Sequence, residues 1–204
     1  LSSSAPNLQN IPIRTELGRR IRAAFVPESG WRFVAADYSQ IELRILAHVS
    51  GEESLIAAFR AGEDIHRRTA AEGFGVELAD VTSQQRDVAK TTNFSVIYGV
   101  TAFGLSRGLS ITPKQAQEFL NRFFERHPKV KAYLERTVAE GRERGFVQTL
   151  LGRRRYIPEL RSGNPNLRSF AERMATNAPV QGAAADLIKI AMVRMDRALT
   201  ESGL

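Results

Sequence analysis

The stretch VAADYSQIELRILAHVSG, Val34 to Gly51, changes period in its middle, and its reading decides the fold. Before Asp37 the chain runs through Phe33, Val34, Ala35 and Ala36 without a break, as a buried strand does. After it, Leu43, Ile45, Leu46 and Val49 recur at helical spacing until Gly51. A carboxylate therefore stands where strand gives way to helix. Ser39 and Glu42 match the Ser-x-x-Glu capping box, so the start of a helix accounts for Glu42. It accounts less well for Asp37, because Ser39 already takes the cap. An acid closing a buried strand points into a cleft, where it suits a hard cation such as Mg2+. Both roles for Asp37 stay open at this point.

Outward from this stretch, IRAAFVP and WRFVAAD read as two strands, over 21–27 and 31–37, joined by the ESG turn. Residues 1–20, rich in Ser, Pro and Asn, read as extended or turn structure. A helix-rich middle follows. Residues 83–99 predict a helix capped by Ser83 and stopped by Gly99, and Thr112, Pro113 and Gln115 form a complete helix-start signal. Residues 128–145 predict a partner helix ending at Gly145. FVQTLLGRRRYIP reads as a hairpin turning near Gly152, and two last helices are expected on either side of Pro179. The expected class is α+β: a mostly helical insert in an incomplete antiparallel sheet, which needs more strands than a two-stranded ribbon supplies.

Composition narrows the chemistry. The 204 residues carry 29 Lys and Arg against 22 Asp and Glu, a net charge of +7, and only five of the cations are lysines. Arginine forks grip phosphate oxygens in pairs, so a polyanionic partner, nucleic acid first, is expected. The absence of cysteine excludes disulfides, thiol chemistry and Cys-based zinc sites. No apolar run reaches the ~18 residues of a membrane span, and a soluble, intracellular, cytoplasmic chain with no membrane partner is expected.

A second constellation lies in RDVAKTTNFSVIYG, residues 86–99. At ~100° per residue, Arg86, Lys90, Asn93, Phe94, Ile97 and Tyr98 fall within a sector of about 140°. Cations open this face and rings close it, and Arg86 and Tyr98 lie roughly 18 Å apart along the axis. That length suits an extended nucleoside triphosphate. An amphipathic helix with buried rings and snorkelling cations would give the same pattern.

DYSQIELR (37–44) resembles motif A of the family A DNA polymerases, the bacterial DNA polymerase I type, and RDVAKTTNFSVIYG resembles their motif B, Arg-x3-Lys-x3-Phe-x3-Tyr-Gly. The likeness continues through PNLQNIPIRT, EDIH, TLLGRRRYIP and ERMATNAPVQGAAADLIKIAM, and so covers essentially the whole chain. It implies helical fingers inserted into an incomplete palm: palm over 1–63, fingers over 64–163, palm again over 164–204. It also implies dNTP addition to a primer 3′-OH by two-metal phosphoryl transfer, with primer–template DNA, dNTP and two Mg2+ ions as partners and a monomeric state.

Residue by residue, the resemblance makes Asp37 and the Tyr38 carbonyl metal ligands. It places Gln40, Glu42, His66, Arg86, Lys90, Phe94 and Tyr98 around the nucleotide. Glu42 would close the sugar pocket against a 2′-OH. Arg86, Lys90 and His66 would hold phosphates, with Lys90 also the general acid for pyrophosphate. Phe94 would pack on sugar and base, and Tyr98 would guard the template-base position. Arg173, Asn177 and Gln181 would meet the primer–template, where minor-groove acceptors test pair geometry rather than base identity. Arg14 and Arg154, in the Arg153–Arg155 cluster, would meet phosphate backbone.

The family's second catalytic carboxylate, in the His-Asp-Glu stretch of motif C, is not among these residues. The expectation is a chain that binds nucleotide and DNA but polymerises little by itself. Two rivals stand beside it. A single-subunit RNA polymerase shares the Asp and the Arg/Lys pair but carries a small residue in place of Glu42. A non-catalytic nucleic-acid or nucleotide-binding module would tolerate the lack of motif C.

Overall fold

Helix starts are written into the sequence by side chains that accept from otherwise unpaired amides. Thr112 caps the helix α7 (Pro113–Arg126): its side chain accepts from Gln115 N, and the Gln115 side chain returns the bond to the cap. Thr82 does the same with Gln85 for α5 (Ser83–Ile97), so the cap is Thr82 and not the expected Ser83, which is the first helical residue. Asp64 caps α4 (Ile65–Phe74) and Asn164 caps α9 (Pro165–Glu201). The other helices are α1 (Glu16–Ala23), α2 (Ile41–Ser50), α3 (Glu53–Arg60), α6 (Ala102–Leu109) and α8 (Pro128–Arg144). The computed structural model describes residues 5, 7–13, 15–109 and 111–203. No helix among the described residues is long and apolar enough to cross a membrane.

The chain divides into two units, 1–39 and 40–204. In the first, Thr15 caps α1 by accepting from Gly18 N, and Gly18 packs so closely on the Pro12 carbonyl that no side chain fits there. The hairpin expected over 21–37 is not formed: Ile21 to Ala23 end α1, and residues 31–38 pair with no strand. Trp31, Phe33 and Val34 stay exposed, so this ribbon has no apolar face to bury, and two strands without one are marginal. Asp37 consequently follows irregular chain, not a strand.

In the second unit, α2 lies at the centre of the core. Leu43 and Leu46 are fully buried with Ile65, Ile97, Leu105, Val130 and Val180, each burial contributing about 1.5–3 kcal/mol. Strands β1 (Phe146–Gln148) and β2 (Arg154–Tyr156) pair antiparallel around Gly152, whose φ of 88° a side chain would strain. Among the described residues this hairpin is the only sheet. It is pinned to α9 through Asp186, which accepts from the Thr149 hydroxyl at 2.8 Å and pairs with Arg153 at 3.0 Å. Gly182 leaves room for Thr149 to lie against α9, and its carbonyl accepts from Arg153 at 2.9 Å.

Pro179 does not separate two helices. It sits inside one helix of 37 residues, about 55 Å long. An interior proline costs roughly 3 kcal/mol. Ala171, Ala175, Ala178, Val180 and Ala183 are buried on both sides of it, and that packing keeps the two halves in one run. The expected Ser39 capping box is also replaced: Gln40 takes the cap of α2 in the left-handed conformation, with no side-chain cap bond.

A polar knot joins α3 to the α7–α8 junction. The Ser54 hydroxyl donates to Glu52 at 2.9 Å and lies 3.1 Å from Nδ1 of His127, whose ring is 2% exposed. Burial holds the His127 imidazole below its ordinary value of 6.5, against the nearby Glu72 and Glu52 charges that raise it. A base depressed in the folded state leaves stability intact above pH 6.5 and removes it as pH falls from there towards the folded value. Thermal melts from pH 7.5 down to 5.5 should therefore show Tm falling, and His127→Gln should flatten that slope. Equal slopes in both proteins would contradict the assignment.

Candidate functional site

The α5 helix presents residues four apart to solvent: Arg86 and Phe94 half-buried, Lys90 and Tyr98 exposed. The stripe turns through about 120° along the helix. Two members of the sequence-predicted face leave it: Asn93 and Ile97 are both 0% exposed and point into the core, where the other flank of α5 packs. The Phe94 and Tyr98 rings stack at 6.4 Å and 17°, and the His66 ring lies 5.8 Å from Phe94. One end of the face is therefore cationic and the other aromatic.

The cationic end is built by α4. The Asp64 carboxylate accepts from His66 N and Arg67 N, and its second oxygen takes the Arg86 Nε at 2.7 Å. Burial works to raise the Asp64 carboxyl, but the Arg86 bond and charge and the two amides outweigh it and hold it low. His66, which local pattern alone assigns to a solvent-exposed helix face, is 2% exposed. Its Nδ1 lies 3.1 Å from the Asn93 amide nitrogen, which also reaches Thr69 at 3.1 Å. Burial first, then Arg86 and Lys90, depress the imidazole, with Asp64 opposing them. Asp64 and Thr69 escaped the sequence reading, and Asn93 was read as part of the exposed face and not as the buried partner of His66. The only local signals were a cap residue before Ile65 and a polar residue on the core-facing side of α5.

The aromatic end is tied to α2 and α9. Tyr98 donates its hydroxyl proton to Glu42 at 2.9 Å, and the Gln181 side chain is near enough to lower the same phenol. Burial, then the bond to Glu42 and its charge, raise the phenol, so it remains a donor. Gly99, at φ 62°, lets α5 end against α9: a side chain there would meet Thr176 and Arg173 at 3.1 and 3.2 Å. Arg173 donates to Ser169 and spreads over the Phe170 ring at 5.7 Å. Asn177 keeps a buried carbonyl oxygen without a partner. Gln40, at the head of α2, is the non-glycine residue of positive φ, 55°, among those described.

Of the remaining predicted residues, Asp37 and Tyr38 belong to the 1–39 unit and are exposed, and Arg14 lies outside the described residues. In the arginine cluster, Arg153 is committed to Asp186, Arg155 touches the Met174 sulfur, and Arg154 covers the Phe146 ring at 4.6 Å. No three Asp, Glu or His side chains among the described residues converge as a metal site. A cavity of about 390 Å3 between α4, α5 and α7, walled by Phe74, Val88 and Phe119, contains none of the predicted residues.

A helix that runs from a cationic end to stacked rings and is closed by a carboxylate sets the class of site by charge and shape. The comparisons narrow the class: the family model for DNA polymerase family A matches residues 1–204, and the chain belongs to that family. It is 54% identical over 204 residues to DNA polymerase I of Caldicellulosiruptor bescii, covering 100% of this chain and 24% of the relative. It is 56% identical over 203 residues to the thermostable DNA polymerase I of Thermus aquaticus, again covering 100% and 24%. Among solved structures, the POL domain of Pol1 from M. smegmatis, in complex with DNA primer-template and dNTP, superposes with a TM-score of 0.92 at 48% identity, over 100% of this chain and 36% of that one. The chain thus spans about a quarter of the length of these curated relatives. The RNA polymerase alternative gives way to this match.

The Asp64–Arg86 pair carries a test of its own. Asparagine caps helices as well as aspartate does, so Asp64→Asn should keep α4 and shift stability by under about 1 kcal/mol. It should also remove a negative charge beside Arg86, and inorganic triphosphate, followed by calorimetry, should bind about three- to tenfold more tightly. Unchanged or weaker binding would contradict the placement of anions at this end.

Proposed function

We propose that this chain selects and holds the incoming deoxynucleoside triphosphate for template-directed addition to a primer 3′-OH. In this reading residues 64–163 are the fingers, and 1–63 and 164–204 are parts of the palm. The observation that carries it is the α5 stripe with its two ends already furnished: α4 brings His66 beside the stripe and its cap Asp64 to Arg86, and α2 brings Glu42 to Tyr98. Arg86, Lys90 and the His66 ring would take phosphate oxygens, and Lys90 would deliver a proton to departing pyrophosphate. Phe94 would cover the sugar and base. Glu42, held by the Tyr98 hydroxyl, would stand where a ribose 2′-OH would clash, and Gln40 would border the same sugar. Arg173, Asn177 and Gln181 would meet primer–template near the new pair, and Arg14 and Arg154 phosphate backbone.

The donors for metal are one exposed carboxylate, Asp37, and the Tyr38 carbonyl. That set suits a hard cation shared with triphosphate oxygens and is too small to retain a metal pair by itself. Magnesium, when bound, neutralises triphosphate charge and lowers the barrier to attack by the primer oxygen. The chain's own part is to bind, orient and select. With the motif C acids not among its residues, the 204-residue chain should extend a primer far more slowly than the intact relatives do.

The direct test is dATP binding by fluorescence with and without Mg2+. Wild type should bind more tightly with Mg2+, Asp37→Ala should lose that dependence, and Lys90→Ala should weaken binding about tenfold or more in either condition. A wild type indifferent to metal would favour a non-catalytic binding module. In the intact polymerase context, Glu42→Ala should relax discrimination between dNTP and rNTP; unchanged discrimination would remove Glu42 from the sugar pocket.

A further inference from the structure

Asn93 is a fully buried polar residue of α5, and its amide nitrogen lies 3.1 Å from two atoms of α4, His66 Nδ1 and Thr69 Oγ1. All three side chains are buried, at 0%, 2% and 5% exposure. An amide NH2 has two protons to give and no lone pair to offer, so both of its neighbours must accept. Thr69 accepts through its hydroxyl oxygen. The imidazole can accept at Nδ1 only if that nitrogen is unprotonated, and a neutral ring of that kind carries its proton on Nε2.

We propose that Asn93 is a positioning residue that fixes His66 as its Nε2–H tautomer, so that the ring offers phosphate a hydrogen-bond donor and not a lone pair. The proposal rests on the reading of His66 as a triphosphate contact. The opposite amide orientation would put Asn93 Oδ1 against an Nδ1–H, leave the lone pair on Nε2 and turn it against phosphate oxygens. In the observed orientation Asn93 Oδ1 has no partner, so the amide is held by its two acceptors alone. A second proton on the ring would set Nδ1–H against the Asn93 N–H in a buried pocket. Among the charges that act on the ring, Arg86 and Lys90 on α5 oppose that proton and Asp64 at the head of α4 favours it. The direction in which the ring is shifted, downward, agrees with the neutral form. His66 would then act as a neutral donor set between two cations, adding geometry without adding charge.

The first measurement needs no variant. Long-range 1H–15N correlation spectra of the 204-residue chain, with its three histidines assigned by single replacement, should show His66 protonated on Nε2 and bare on Nδ1 at pH 7.5. A proton on Nδ1 would overturn the proposal. Asn93→Asp, which can only accept, should move the proton to Nδ1 and weaken dATP binding about ten- to a hundredfold, the worth of one hydrogen bond to a charged acceptor. In a His66→Gln background the same change should cost little more, because a glutamine amide donates whatever Asn93 does. An equal loss in both backgrounds would show Asn93 to be merely structural. If His66 shows the expected tautomer but dATP binds nowhere on this face, the phosphate reading fails and the tautomer lock survives.

Discussion

The close packing of α5 on α4 governs everything at the candidate site. Ala70 and Ala89 share a small fully buried cluster, and residues of that size let two helices approach backbone to backbone. The approach brings Asp64 within 2.7 Å of Arg86 and Asn93 within 3.1 Å of His66, contacts that longer apolar side chains between the helices would hold apart. Charged and imidazole groups from two helices are thus brought together. Most of the energy behind it is apolar burial; the exposed ion pair adds at most about 1 kcal/mol.

The far end of α5 obeys a different constraint. There the helix must stop, and Gly99 lets it stop against α9 beside Arg173 and Thr176. Tyr98 is held by Glu42 on α2, with Gln181 on α9 near the same phenol. A shift of α5 would break contacts at both of its ends, by separating Arg86 from Asp64 or Tyr98 from Glu42. These few polar bonds are the ones a closing movement of α5 would exchange for bonds to a ligand, whereas the core of Leu43, Leu46, Ile97 and Val180 has nothing to gain from such a change.

Features carried by neighbouring residues were legible in the sequence. The Thr112–Pro113–Gln115 start, the Gly145 stop and the hairpin about Gly152 depend on contacts within a few positions and are present, as is the α5 stripe without Asn93 and Ile97. The misreadings fall where distant packing overrides local preference. Pro179 looks like a helix breaker until Ala175 and Val180 are seen buried on either side. The run from Trp31 to Ala36 has strand composition but no surface to lie on. His66 stands between Ile65 and the charged pair Arg67 and Arg68, a local pattern that does not announce its burial, yet Asn93, 27 positions on, bonds it in the interior. Glu42 matches a capping box, and its actual partner, Tyr98, lies 56 positions away. Such pairings leave no periodic trace, so the roles of Asp64, Thr69 and Asn93 emerge only in three dimensions.

The proposed seating of the nucleotide along the exposed stripe of α5 is tested most directly by covalent capture. A deoxyadenosine triphosphate bearing a photoreactive azide on its base, irradiated with the chain and mapped by peptide mass spectrometry, should label Tyr98 or Phe94, and excess dATP should abolish the label. Labelling concentrated instead on Phe74 or Phe119, around the cavity between α4, α5 and α7, would place the nucleotide elsewhere and contradict the account.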